Sequence, residues 1–100
     1  MRIRIKAPLH PGNILKYDYL EPLALSMTQL ARYLGVSRQR LANIVHERGA
    51  ITPDLALRLA RAFKTSPALW LNMQKEYDLW HAQQVSQDWE QIQPLEMACD

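Results

Sequence analysis

Between Ser37 and Glu47 the chain reads SRQRLANIVHE, and its side chains are suited to reading a patterned polyanion. At about 100° per residue, Leu41, Ile44 and Val45 fall on one side of a helix. Gln39, Asn43 and His46 fall opposite, with Ala42 beside them and Arg38 and Arg40 flanking the strip. A guanidinium can grip the edge of guanine, a Gln or Asn amide the edge of adenine, and an alkyl group the thymine methyl. The major groove of B-DNA admits one such helix. Arg38, Gln39, Ala42, Asn43 and His46 are therefore candidate base readers, and Arg38 and Gln39, at the helix start, should enter deepest. A merely solvated helix face would explain the polarity, but not the absence of any acid from residues 37–46.

Phosphate contacts should come from helix starts and from bases beside the strip. The candidates are Thr28 and Gln29 in the first turn of the preceding helix, together with Arg32, Ser37, Arg40 and Arg48. The charge distribution agrees. Residues 1–64 hold eleven basic side chains and four acids, a balance of +7, whereas residues 65–100 hold one base and six acids, a balance of −5. A basic front suits a polyanion partner, and an acidic back stays away from it.

The elements that must position these groups are helical. His10-Pro11-Gly12 opens a first helix, which Pro22 stops because proline cannot donate to the ladder. Ser26 opens a second, and Gln29, three residues on, completes a capping box. Gly35 ends the second helix in a left-handed turn, Val36 plugs the turn, and Ser37 caps the third helix. Thr52-Pro53 and Ser66-Pro67 are each a cap followed by proline at the first helical position, and they start helices four and five. The fifth carries Trp70, Met73, Tyr77 and Trp80 and is expected to run on through Val85, Trp89 and Ile92 until Pro94. The expected class is all-α, and 100 residues make one domain. The division is an arm over 1–8, a helix-turn-helix domain over 9–82 and a C-terminal extension over 83–100.

Residues 27–44 satisfy the demands of a helix-turn-helix. A steep helix crossing needs a small residue, Ala31. The tight turn needs a positive φ, at Gly35. The second helix needs apolar residues facing back, Leu41 and Ile44.

The stretch TQLARYLGVSRQRLANIV, followed by ITPDLALRLARAF and SPALWLNMQKEYDLW, resembles the HigA-type antitoxins of the phage-repressor-like helix-turn-helix superfamily. The opening HPGNIL…EPL is similar too. The resemblance covers roughly residues 9–80, and its most discriminating part is the run after the helix-turn-helix. It implies a five-helix domain and a homodimer on palindromic operator DNA. It also implies repression of a toxin–antitoxin operon and neutralisation of a HigB-type toxin, an endoribonuclease acting on mRNA. Two departures stand out. Met27 replaces a glutamine that contacts phosphate in related repressors, so that contact is lost or moves to Thr28 or Gln29. The Asn-Gly that closes the third helix in the family is replaced by His46-Glu47, so this helix is expected to extend toward Gly49.

Arg2-Ile3-Arg4-Ile5-Lys6 alternates with period two and reads either as a disordered terminus or as an arm for a symmetry mate, a toxin or a minor groove. Trp70, Tyr77, Trp80 and Trp89 are candidate dimer or partner contacts, since large aromatics on a terminal helix suit an interface. Aromatics at helical spacing are also usual core residues, a reading that weighs most for Trp70 and least for Trp80 and Trp89. His10 and His81 read as structural or exposed. The lone Cys99 cannot form an internal disulfide, no Cys/His cluster has metal-ligand spacing, and no signal-peptide or membrane-spanning run occurs. The expectation is a cytoplasmic protein without metal or cofactor. No nucleophile–base pair, paired carboxylates or phosphate cradle points to an enzyme. Two other readings keep the fold: a toxin-inhibiting interaction module that binds DNA weakly, and a metabolic or phage-type repressor with no toxin partner.

Overall fold

The computed structural model describes residues 7–96. Helix α1 (Pro11–Ile14) runs into a π-helical segment (Leu15–Leu20), followed by α2 (Met27–Leu34), α3 (Arg38–Val45), α4 (Pro53–Phe63), α5 (Pro67–Val85) and a 3₁₀ turn (Asp88–Gln91). No strand occurs among the described residues. The arm at 2–6 and Cys99 lie outside them.

Each helix starts where its cap residue predicts. The Ser26, Ser37, Thr52 and Ser66 hydroxyls each accept an N–H from the first turn of α2, α3, α4 and α5 respectively. Ser26 and Gln29 form the reciprocal capping box. The first helix departs from a regular α-helix after one turn. Its wider hydrogen bonds include Glu21 N–H to Lys16 O at 3.0 Å, and it ends just ahead of Pro22.

The core is one cluster around Leu15, Leu30, Leu41, Ile44, Leu55, Leu59 and Trp70, all fully buried. Trp70 is a core residue and not an interface residue. None of its surface is exposed, its ring lies 5.5 Å from Tyr19 and 6.5 Å from Phe63, and its Nε1 donates to Thr65 Oγ1 at 2.8 Å. An indole that finds both apolar walls and a hydroxyl acceptor inside the domain has nothing left to offer a partner.

Two expected boundaries move. Helix α5 stops at Val85 instead of reaching Pro94, with Ser86 extended at φ −149°. The Ser86 hydroxyl accepts the Asp88 N–H at 3.0 Å, a local bond that competes with helix continuation. Beyond it, Ile92 and Leu95 remain exposed, so no packing rewards a longer helix. Helix α3 stops at Val45 instead of extending to Gly49. Glu47 takes the left-handed conformation at φ 63°, and the Asn43 carbonyl accepts both Arg48 N–H (2.7 Å) and Gly49 N–H (3.0 Å). The stop that glycine usually supplies is made here by a glutamate.

Candidate nucleic-acid interface

Helices α2 and α3 are joined through Gly35, Val36 and Ser37. Gly35 sits at φ 76° and donates to Ala31 O at 2.9 Å. Arg58 of α4 donates from Nη1 to Leu34 O at 2.8 Å, and the same nitrogen would lie 3.0 Å from a Cβ at position 35. Glycine adopts that φ without a Cβ penalty, and it spares the Arg58 guanidinium a tight contact.

One close approach from α1 sets the back of α3, and two buried polar side chains hold the loop that follows it. Gly12 of α1 approaches so closely that an added Cβ would lie 1.8 Å from Ile44 O. His10, which is buried, accepts the Gly12 N–H at Nδ1 (2.9 Å) and donates from Nε2 to Gly49 O (3.0 Å), while its ring meets Tyr77 edge-on at 4.7 Å. These partners assign the Nε2–H tautomer. Gln74 of α5, also buried, accepts the Ile51 N–H at Oε1 (2.8 Å) and donates to Asp78 (3.0 Å). Sequence reasoning passed over Gly12 and Gln74 as positioning residues and left His10 merely structural or exposed. Nothing in the mixed polar and apolar run around Gln74, with Asn72, Lys75, Glu76 and Asp78 beside it, marked that residue, and for His10 the one signal was its place directly before Pro11.

With its back held, α3 turns a polar strip outward. Arg38, Gln39 and His46 are exposed and Asn43 is half-buried. The Gln39 amide donates to Asn43 Oδ1 at 3.0 Å, and Arg38 Nε donates to Thr28 Oγ1 at 3.0 Å. Ala42 leaves the strip. It is only 8% exposed and lies with Leu41, Ile44 and Val45 on the packed side, so its methyl is not free to meet a thymine. Thr28, Gln29, Arg32, Ser37 and Arg48 are exposed along the flanks. Met27 is half-buried against the core, in keeping with its loss as a polar contact. Arg40 is turned aside: its Nη2 donates to Thr52 Oγ1 at 2.7 Å and its Nη1 lies 3.9 Å from Asp54 Oδ2.

On α5, Tyr77 and Trp80 are half-buried, with His81 ring contacts at 4.2 Å and 5.1 Å. Trp89 is 48% exposed on the 3₁₀ turn. Among the described residues no His, Cys, Asp or Glu group has the arrangement to hold a metal, and no helix is long and apolar enough to cross a membrane.

Residues 17–70 match the family described as Helix-turn-helix. The solved structure of antitoxin GraA is similar to this chain with a TM-score of 0.85 and 39% identity, covering 90% of this chain and 99% of that one. Pseudomonas aeruginosa antitoxin HigA, solved with the higBA promoter, is similar with a TM-score of 0.82 and 40% identity over 89% of this chain and 99% of that one. The chain belongs to the HigA-type helix-turn-helix family. A relative from Dichelobacter nodosus, virulence-associated protein I, is 48% identical over 87% of this chain and 81% of its own length. The HigA-type fold is all-α, as the sequence predicts, and the family is one of DNA-binding antitoxins and regulators, not of enzymes.

Proposed function

We propose that this HigA-type protein is a sequence-specific DNA-binding antitoxin. As a homodimer it represses the operon that encodes it, and it neutralises a HigB-type RNA-cleaving toxin. The observation that carries the DNA reading is the acid-free outer strip of α3, exposed in front and backed by Gly12 against Ile44, with His10 and Gln74 holding the loop that follows. Arg38, Gln39, Asn43 and His46 read base edges. Gln29, Arg32, Ser37 and Arg48 meet phosphates, while the Thr28 hydroxyl, first a phosphate candidate, accepts Arg38 Nε and positions that side chain. The Gln29 Oε1 is used on Ser26 N–H, which leaves its Nε2 to donate, and the Ser37 Oγ accepts Arg40 N–H while its own proton remains free for a phosphate. A dimer on a palindrome places two α3 helices in successive major grooves about 34 Å apart, hence half-sites near 10 base pairs.

The acidic, aromatic end with Tyr77, Trp80 and Trp89 suits a protein partner. It holds no Lys or Arg after residue 75, and Leu79, Val85 and Trp89 are exposed on it. Its charge is opposite to that expected of an enzyme that binds RNA. A DNA partner places the work in the cytoplasm.

Footprinting on the DNA upstream of the protein's own gene tests the first half of the reading. Protection of a palindrome by the wild type, relaxed at single base positions in Gln39→Ala and Asn43→Ala, is the expected result. Equal losses on operator and random duplex would remove the base-reading assignment. Co-expression with the product of the adjacent gene tests the second half: rescue of growth is expected, and no rescue leaves a repressor without a toxin.

A further inference from the structure

We propose that Asp54 withholds Arg40 from DNA phosphates and so limits non-specific binding; the inference rests on the DNA-binding reading. Arg40 sits about 60° around α3 from Asn43, at the edge of the outer strip, where a guanidinium with its length could reach a backbone phosphate. In the structure it faces the other way. Its Nη2 donates to the Thr52 hydroxyl at 2.7 Å, and its Nη1 is 3.9 Å from Asp54 Oδ2. Both partners are fixed in advance by α4. Thr52 is the residue that caps it, and Asp54 lies in its first turn, where the helix dipole favours a carboxylate. The carboxylate is held further by Arg58 Nε at 3.0 Å, and Arg58 is itself anchored on Leu34 O.

The arrangement is asymmetric. Arg58 has a backbone carbonyl to retain it, whereas Arg40 is held only by side chains at an exposed site. Of these two partners only Asp54 is charged, so without its carboxylate the guanidinium keeps a neutral hydroxyl, which a phosphate can displace. The released guanidinium adds one phosphate contact that carries no sequence information. Asp54 is thus a specificity-determining residue through Arg40 and reads no base itself.

Fluorescence anisotropy over a salt series tests this on the wild type, Asp54→Asn, Arg40→Gln and the double variant, each with the upstream DNA and with a random duplex. Asp54→Asn should steepen the slope of log K against log salt by about 0.9 and tighten random duplex more, in proportion, than operator. Arg40→Gln alone should leave the wild-type slope unchanged, and in the Asp54→Asn background it should restore that slope. An unchanged slope in Asp54→Asn overturns the inference. So does a flatter slope in Arg40→Gln, which would mean Arg40 already meets phosphate. A steep slope that survives in the double variant also overturns it, because Asp54 would then act by its own repulsion. Wild-type protein that binds neither duplex would overturn the DNA reading itself, which the other outcomes leave standing.

Discussion

Arg38 Nε donates to Thr28 Oγ1 at 3.0 Å, joining the first residues of α3 to the first turn of α2. The bond uses one of the five donors of the guanidinium and leaves the terminal nitrogens to approach a guanine. It fixes the side chain before DNA arrives, so less rotamer freedom is lost on binding. Thr28→Val keeps the shape and removes the acceptor. It should weaken operator binding by about 1 kcal/mol, with little change on random duplex. Arg38→Ala should cost about 1–3 kcal/mol at one base position. Anisotropy titrations on operators substituted base by base check both, and a Thr28→Val loss equal on all sequences would mean the hydroxyl serves a phosphate instead.

The approach of α1 to α3 gives the sharpest stability prediction. An alanine at position 12 would place its Cβ 1.8 Å from Ile44 O and 3.0 Å from Val45 Cα, both backbone atoms that no rotamer change can move. Gly12→Ala should therefore destabilise by about 3 kcal/mol, which for a domain of this size lowers Tm by more than 10 °C. Calorimetry measures it. A loss under about 1 kcal/mol would show that the two helices are free to separate.

What the sequence could reveal followed from how local each signal is. Caps act within three residues, so Ser26, Ser37, Thr52 and Ser66 mark their helices without knowledge of the fold. The glycine turn at 35 and the apolar back of α3 are local in the same sense. Contacts between distant segments were not legible. His10 reaches Gly49 across 39 positions and Gln74 reaches Ile51 across 23, and no periodicity encodes either. Ala42 was placed beside the strip by its angle on the helix, yet the approach of other elements buries it. Trp70 could be read both ways for the converse reason: aromatic size suits an interface and a core alike, and the placement of Tyr19 and Phe63 decides for the core.

Gln74 should matter to the loop after α3 more than to the core around it. Its Oε1 satisfies the Ile51 N–H at a buried site, and Ile51 itself is only 5% exposed. Gln74→Leu keeps the bulk and orphans that amide, a change worth about 1–3 kcal/mol. Hydrogen exchange should then speed up first at Ile51 and its neighbours, ahead of the amides of α4. Uniform acceleration across the domain would assign Gln74 to the global core.

Glu47 closes α3 in a conformation that glycine adopts without a Cβ penalty. At φ 63° a side chain costs roughly 1 kcal/mol relative to glycine, partly offset by the greater freedom of glycine in the unfolded chain. The hydrogen bonds that define the stop, from Arg48 and Gly49 N–H to Asn43 O, do not involve the Glu47 side chain. Glu47→Gly should therefore raise stability by up to about 1 kcal/mol, visible as a Tm higher by several degrees. The substitution also removes an exposed acid one residue beyond His46, so DNA affinity at low salt should rise while the preference for operator over random duplex stays level. A lower Tm would mean that the carboxylate holds the loop through contacts worth more than the left-handed strain, and a shifted operator preference would place Glu47 within the footprint instead of at its edge.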